Sequence, residues 1–229
     1  MQPESIAEAE ELQRRLAGQV EVPADPIPAP ATVAGLDVSY VRGSDLIAAT
    51  AVLFDVATGT VLEESTVRSV APFRYVPGLL AFREVPPLLA ALGRLRGRPD
   101  LVLCDGQGIA HPRRCGLACQ LGIRVGLPAI GCAKTRFVGA HDEPGQRRGD
   151  RAALVDNGEL IGHVLRTQDG VKPVYVSPGH RIGFDQSCEV VLAVCSRFRL
   201  PDPIRHADRL SRAALRAETG KTAGLSGRI

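Results

Sequence analysis

Tryptophan is absent from this chain of 229 residues, and aromatic residues of all kinds make up only 4% of it. An aromatic side chain in an exposed loop is therefore a candidate for ligand contact. Lysine is also scarce: of 28 basic residues, only Lys134, Lys172 and Lys221 are lysine, so each of them merits separate consideration. The formal net charge of +3 is too small to indicate a polyanionic partner.

No stretch of the sequence approaches the ~20 apolar residues that span a membrane. The first residues, MQPESIAEAEELQRRL, contain no apolar run of the kind found in a secretory signal. None of the six cysteines forms a C-x-x-C pair, and Cys115 and Cys119 have no matching pair for a zinc site. We therefore expect a cytoplasmic protein with reduced core thiols and no membrane contact.

The length and the 45% of hydrophobic residues predict a single domain over residues 1–229. An amphipathic helix at 4–18 and a proline-rich connector occupy residues 1–30, and residues 218–229 are predicted to form a flexible tail. Three strands, at 32–40, 46–55 and 61–70, are joined by short glycine-containing segments, which favours antiparallel pairing.

The remaining predicted elements alternate between helix and strand. They are a helix at 79–92, a strand at 101–104, a helix at 114–121, a strand at 128–134, strands at 160–166 and 174–177, and helices at 185–198 and 203–217, with a surface loop at 139–151. This order predicts an α/β ribonuclease H-like fold: a central mixed sheet with three antiparallel strands followed by parallel strands, and helices on both faces. The competing doubly wound nucleotide-binding sheet would not begin with two hairpins.

Two carboxylates occupy unusual positions. Asp37 lies inside the apolar strand VAGLDVSY, and Asp105 ends the strand LVLC and opens the turn DGQG. Each alone is explained by a structural role, as a caged buried carboxylate or a turn cap. If the first and fourth strands are neighbours, however, the two side chains converge on one point. Two carboxylates with open water positions suit Mg²⁺, or Mn²⁺ in its place.

Three further polar residues have two interpretations each. Glu84 is either a third active-site acid or a solvated helix residue. Lys134, which closes the strand AIGCAK, is either a surface lysine or a point charge beside a phosphate. His180 in SPGHRIG is either an exposed loop histidine or a group for proton transfer.

Five stretches of the sequence together resemble the endonuclease V family of deoxyinosine 3′ endonucleases. They are VAGLDVSY, YVPGLLAFRE, DGQGIAHPRRCGLACQLG, PAIGCAKTRFVG and SPGHRIGFDQS, and the later stretch RLPDPIRHAD is also similar. The resemblance runs in the right order over residues 30–210. It implies a ribonuclease H-like fold and Mg²⁺-dependent repair of DNA with deaminated bases, chiefly hypoxanthine, by hydrolysis of the second phosphodiester bond 3′ to the lesion. A monomer is expected.

The resemblance also implies roles for individual residues. Asp37 and Asp105 correspond to metal ligands, and Glu84, Lys134 and His180 to the other catalytic residues. The residues implied in contacts with the nucleic acid are Tyr75, Val76, Pro77 and Gly78, which form a strand-separating wedge, and Leu80, Gly106 and Gly108, which lie near the flipped base. Arg74 and Gln120 depart from the family pattern, where proline and histidine are common.

Two alternatives remain open from the sequence. An inosine-specific ribonuclease of the same fold would differ in its contacts to the 2′-hydroxyl, which the sequence does not display. A protein that binds lesions without cutting would not need the acidic pair of Asp37 and Asp105 together with Lys134 and His180.

Overall fold

The computed structural model describes residues 3–41 and 43–223, with side chains as far as residue 216. Its elements in chain order are α1 (Ile6–Ala17), β1 (Thr32–Tyr40), β2 (Leu46–Asp55), β3 (Thr60–Val70), α2 (Leu80–Leu92), β4 (Leu101–Cys104), α3 (Leu117–Val125), β5 (Ala129–Ala133), β6 (Arg151–Asp156), β7 (Glu159–Leu165), β8 (Val174–His180), α4 (Phe184–Ala193) and α5 (Asp202–Ala223). In the described residues, no helix is long and apolar enough to cross a membrane.

All eight strands form one mixed sheet in the order β3-β2-β1-β4-β5-β8-β7-β6. The first three strands pair antiparallel, as their short connections predict. Strand β4 then pairs parallel to β1, and β5 parallel to β4. The predicted order of three antiparallel strands followed by parallel ones is therefore confirmed.

Helices cover both faces of this sheet. Val33 and Leu103 point to one face, where they pack with Val191 of α4 and Ile204 of α5. The neighbouring residues point to the other face, where a second cluster joins the sheet to α2 and α3. This division follows from the alternation of side chains along a strand, which sends successive residues to opposite faces.

Several predicted boundaries are wrong. The segment predicted as a loop at 139–151 is followed by an unpredicted strand, β6, which forms a hairpin with β7. Helix α3 begins at Leu117 rather than at Arg114, whose φ of 51° is incompatible with a right-handed helix. Helix α4 ends at Ala193 and not near 198, whereas α5 runs to Ala223, into the segment predicted as a tail. The rest of that predicted tail, 224–229, lies outside the described residues.

Candidate active site at the carboxyl ends of the central strands

Asp37 and Asp105 lie side by side because β1 and β4 are parallel neighbours. Leu36 is paired with Cys104, and the backbone N–H of Asp105 donates to the carbonyl of Leu36 at 3.1 Å. The two carboxylates therefore occupy adjacent positions at the same edge of the sheet, and both line one cleft. The two side chains were expected to converge if the first and fourth strands are neighbours, and β1 and β4 are neighbours in the sheet.

Asp37 is a buried carboxylate, only 6% exposed. The hydroxyl of Ser211, on α5, donates to its Oδ2 at 2.7 Å. Burial, together with the charges of Asp105 and Asp208, raises the pKa of Asp37 to about 7 against the lowering effect of the Ser211 hydrogen bond. The ionised form of Asp37 is thus disfavoured by its surroundings.

Glu84 lies behind these strand ends rather than in the cleft. It is in the first turns of α2, it is 5% exposed, and it accepts a short hydrogen bond from the hydroxyl of Tyr40. Burial, together with the charges of Asp37 and Asp105, raises the pKa of Glu84 to about 8. Tyr40 itself lines the cleft. Glu84 is therefore close enough to affect the charges of the site, but it reaches the cleft through Tyr40.

Lys134 follows β5, the parallel neighbour of β4, and so reaches the same edge of the sheet. Its Nζ forms a short ion pair with Oδ2 of Asp105. Although burial opposes the charge, the hydrogen bond and charge of Asp105 raise the pKa of Lys134 above its usual value. Lys134 is therefore a fixed positive charge at neutral pH, and it supplies no free base.

Asp208 on α5 is a fourth acidic residue of the site, and sequence analysis missed it. It lines the cleft with Asp37, Asp105 and Lys134, and forms an ion pair with Arg212 at 2.8 Å. Its segment, RLPDPIRHAD, was recognised as similar to the family, but no pattern within it distinguishes Asp208 from an ordinary solvated helix residue. Only the packing of α5 against β1 brings it to the strand ends.

A second cavity, of about 380 Å³, adjoins the carboxylates and shares Asp105 and Lys134 with their cleft. Six residues with implied nucleic-acid contacts line it: Tyr75, Val76, Pro77, Gly78, Leu80 and Gly106. Tyr75 is 68% exposed at its mouth. The lining also includes three residues after β5 that were not singled out from the sequence, Thr135, Arg136 and Phe137.

Gly108 does not belong to this cavity. It is buried against β8, where its N–H donates to Ser177 Oγ at 2.8 Å, and an added Cβ would lie 2.1 Å from the carbonyl oxygen of Pro178. This glycine is needed because two backbones approach closely, which corrects its predicted place near a flipped base.

His180 is not brought to the carboxylates either. Strand β8 runs antiparallel to β5, so His180 pairs with Ala129 at the start of β5, whereas Lys134 follows its end. The ring is 4% exposed, and its Nδ1 accepts from the backbone N–H of Glu21 at 3.3 Å. Burial lowers the pKa of His180. The predicted catalytic role of His180 is thus inconsistent with its position at the opposite edge of the sheet.

The two departures from the family pattern lie outside both cavities. Arg74 is exposed, immediately before Tyr75. Gln120 is 1% exposed within α3, and neither of its side-chain amide atoms has a hydrogen-bond partner among the described residues. Neither substitution touches the acidic residues.

The fold and the site define an α/β protein with a carboxylate-lined cleft at the carboxyl ends of its central strands. The pattern of the family described as endonuclease V matches residues 14–209. An endonuclease V of Nocardia farcinica is 52% identical over 219 residues, covering 95% of this chain and 96% of that protein.

Two solved structures agree with this assignment. The crystal structure of endonuclease V from Streptomyces avermitilis has a TM-score of 0.91 and 46% identity, covering 95% of this chain and 96% of that one. Endonuclease V of Ciona intestinalis, in complex with a 24mer DNA containing an inosine followed by a ribo-adenosine, has a TM-score of 0.83 and 26% identity, covering 94% and 99%. The chain belongs to the endonuclease V family.

Proposed function

We propose that the protein is a Mg²⁺-dependent endonuclease that recognises deaminated bases in DNA, chiefly hypoxanthine, and hydrolyses the second phosphodiester bond 3′ to the lesion. The observation that carries this proposal is the junction of the two cavities. A cavity of about 380 Å³ with an exposed tyrosine at its mouth shares Asp105 and Lys134 with a carboxylate-lined cleft. A base held in the first cavity would bring its own strand to the second.

The carboxylates fit a divalent cation. Burial and neighbouring negative charges already disfavour the ionised form of Asp37, and a cation between Asp37 and Asp105 would relieve both effects. In the described part of the chain, no group of three or more His, Cys, Asp or Glu side chains is arranged as a metal site. Asp37 and Asp105 would therefore be the protein ligands, and Mg²⁺ commonly binds through one or two carboxylates while it keeps several waters.

The remaining polar groups would act on the substrate's charge. A divalent cation at this site supplies an activated water and neutralises charge on the cleaved phosphodiester. Lys134, positively charged beside Asp105, would contact the phosphate or the attacking water. The backbone carbonyl of Lys134 accepts from Arg199 Nη2 at 2.6 Å, which fixes the end of β5. Glu84, behind the strand ends, would affect the charge of the site through Tyr40, which lines the cleft.

The wedge loop, residues 75–78, would separate the strands. A flipped base leaves a gap in the stack, and the exposed ring of Tyr75 can fill it by stacking on a neighbouring base. Gly106 lines the cavity behind the loop with backbone alone, because it has no side chain. Hypoxanthine carries an acceptor O6 where adenine has an amino donor, so a hydrogen-bond donor in this cavity would favour it.

The test is cleavage of a labelled duplex that contains one hypoxanthine. We expect a nick at the second phosphodiester 3′ to the lesion in the presence of Mg²⁺, and no nick in chelator. Asp37→Asn and Asp105→Asn should abolish cleavage while circular dichroism shows an unchanged fold. Asp25→Asn, a change at an exposed carboxylate in the connector, serves as the matched control. Wild-type rates in either active-site variant would refute the metal assignment.

One observation favours a second candidate, an inosine-directed ribonuclease. The nucleic acid bound to the Ciona intestinalis protein carries a ribo-adenosine directly after the inosine. Recognition of a 2′-hydroxyl at that position would direct the same site to RNA. Matched inosine oligomers of DNA, of RNA and of DNA with a single ribonucleotide 3′ to the lesion separate the two candidates by their kcat/KM.

A further inference from the structure

The N-terminal helix α1 lies directly against the wedge loop. Ala9 of α1 packs in one buried cluster with Phe73 and Leu79, which flank the loop on either side, and Val76 of the loop itself packs against that cluster. The loop is therefore supported by the N-terminal helix, which precedes the proline-rich connector in the chain.

A single guanidinium also joins α1 to the wedge loop. Arg113 Nη2 donates to the carbonyl oxygen of Gly78 at 3.0 Å, and Nη1 forms an ion pair with Glu10 at 3.2 Å. Its Nε donates to Oε1 of Gln13 at 2.5 Å. The three contacts use the three nitrogens of one planar, rigid guanidinium. The position of α1 therefore determines the position of the Gly78 carbonyl.

Gln13 sets the orientation of that fork. It is 1% exposed, and its Nε2 donates to the carbonyl oxygen of Cys115 at 2.6 Å. A carbonyl only accepts, so the amide nitrogen must face Cys115 and the amide oxygen must face Arg113. A surface helix rarely buries a glutamine this completely, and here the burial is explained by the fixed acceptor it provides.

His111 gives the Gly78 carbonyl a second donor. Its Nδ1 accepts from the backbone N–H of Arg113 at 3.1 Å, which leaves Nε2 as the protonated nitrogen, 3.0 Å from the Gly78 oxygen. Gly78 itself has a φ of +81°, and an added Cβ would lie 2.9 Å from Arg113 Nη2. The turn at the end of the wedge is thus held by two donors in a conformation that only glycine adopts easily.

We infer that Arg113, oriented by Gln13 and Glu10, is a positioning residue that keeps the wedge loop rigid for strand separation. The inference rests on the proposed function. Unstacking a paired base costs free energy. A loop that moves easily would yield before the bases unstack, so it could not separate the strands. A single-stranded substrate imposes no such load, so the same loosening leaves its cleavage nearly unchanged.

The experiment compares hypoxanthine-containing duplex and single-stranded DNA of the same sequence as substrates. The variant Arg113→Met retains much of the side-chain volume and removes all three donors. We expect its kcat/KM on duplex to fall about tenfold more than on the single strand, since each lost charge-assisted hydrogen bond weakens the support. The loss of kcat/KM on duplex in Arg113→Lys should lie between that of the wild-type protein and that of Arg113→Met, because one ammonium cannot reach three acceptors in a plane.

Two further variants keep the outcome decisive. Glu10→Ala removes only the partly exposed partner of Arg113, and it should shift the duplex to single-strand ratio in the same direction by a smaller factor even if Arg113→Met folds poorly. Arg15→Ala, on the solvent side of α1, should leave the ratio unchanged. Equal losses on both substrates, or an unchanged ratio in Glu10→Ala and Arg113→Met, would overturn the inference. Failure of the wild-type protein to cut either substrate would instead refute the proposed function.

Discussion

The environment of Asp37 depends on one buried hydroxyl. Ser211 is 0% exposed, and its Oγ lies 2.7 Å from Asp37 Oδ2, 2.7 Å from Ser39 Oγ and 3.0 Å from the carbonyl oxygen of Asp208. A hydroxyl has one proton, and a carboxylate is the strongest acceptor of the three. The Ser211 proton therefore points to Asp37, and Ser39 donates to Ser211.

Ser211→Ala is predicted to affect both stability and metal use. The change leaves a buried carboxylate without its donor, which should cost roughly 1–3 kcal/mol of unfolding free energy in the metal-free protein at neutral pH. The pKa of Asp37 should rise further, because that hydrogen bond lowers it, so protons compete better with the cation. Urea unfolding and the Mg²⁺ concentration for half-maximal cleavage measure the two effects.

Ser39→Ala is the matched control for this prediction. It removes a hydroxyl that donates to Ser211 but leaves the bond from Ser211 to Asp37 in place. Its effect on the Mg²⁺ requirement should be clearly smaller. If both variants behave like the wild-type protein, the hydrogen bond from α5 does not tune the site.

The site residues that stand out in apolar strands could be predicted from the sequence, whereas those that depend on packing could not. Asp37 is a carboxylate inside an apolar strand, and Asp105 and Lys134 are polar residues at which apolar runs stop. Ser211 lies 174 positions after Asp37 and reaches it only because α5 crosses the end of β1. No local pattern encodes a contact of that range, so a helical serine with this role looks like any other.

At the scale of elements, the packing of α5 on β1 determines the distance between Asp37 and Ser211. Gly35 makes that packing possible, since a Cβ at this position would lie 2.4 Å from the backbone carbon of Pro203. Pro203 is in the first turn of α5, and the same helix carries Asp208 and Ser211. One missing side chain in β1 therefore sets how closely a whole helix approaches the strand.

Gly35→Ala should consequently impair stability and activity together. The added methyl group meets backbone rather than a flexible side chain, so α5 must move away from β1, and overpacking of this kind costs about 1–3 kcal/mol. The movement carries Asp208 and Ser211 away from Asp37, and the Mg²⁺-dependent rate should fall. Thermal unfolding and cleavage of the hypoxanthine duplex report the two consequences.

Gly18→Ala provides the comparison, because that glycine has a right-handed φ of −68° and its added Cβ would make only an ordinary contact of 3.5 Å. It should be neutral or slightly stabilising. A Gly35→Ala protein with wild-type stability and rate would mean that the helix and strand adjust without disturbing the site.

The elements that sequence analysis found share strong local patterns, and those it missed have weaker or conflicting ones. β1 and β2, of nine and ten residues, have the predicted boundaries because mainly apolar segments end at glycine-containing turns. β6 was missed because only Leu154 in it is buried, so its apolar pattern is faint. The Asn157–Gly158 pair that joins it to β7, with φ of 54° and 81°, is a typical hairpin turn and would have revealed it.

The orientation of β8 explains the misplaced histidine. Strand β8 follows the β6–β7 hairpin and pairs antiparallel with β7. Antiparallel pairing of β8 with β5 then sends His180 to the far edge. His180 was predicted to lie in a loop after a strand at 174–177, whereas β8 continues to His180.

For the molecule as a whole, two sets of buried groups make stability depend on pH in opposite directions. Burial raises the pKa of Asp37 to about 7 and that of Glu84 to about 8. Burial lowers the pKa of three histidines, His111, His163 and His180. The carboxyl groups hold protons in the folded state that the unfolded state has lost, and the neutral histidines lack protons that the unfolded state binds.

The signs follow from the protons bound in each state. Below about pH 6.5 the unfolded histidines are protonated, so their contribution to stability grows as pH rises to that value. The raised carboxyl pKa values have the opposite effect. The free energy of unfolding falls as pH rises from the pKa of the unfolded state to that of the folded state. From pH 6.5 to 8 the histidine effect is complete, and only the carboxyl effect remains.

The metal-free protein is therefore predicted to lose stability between pH 6.5 and 8, by up to about 1.4 kcal/mol per pH unit for each proton by which the two states differ. Urea unfolding at half-unit steps, stopped at pH 8 before the buried thiols contribute, measures the slope. Glu84→Gln should flatten it, most of all above pH 7, because the amide keeps the acceptor for Tyr40 and has no proton to lose. Saturating Mg²⁺ should flatten it as well, by favouring the ionised carboxylates. A metal-free protein whose stability is constant or rising across this interval would show that the clustered carboxylates do not oppose folding, and would remove the physical reason for a cation at this edge of the sheet.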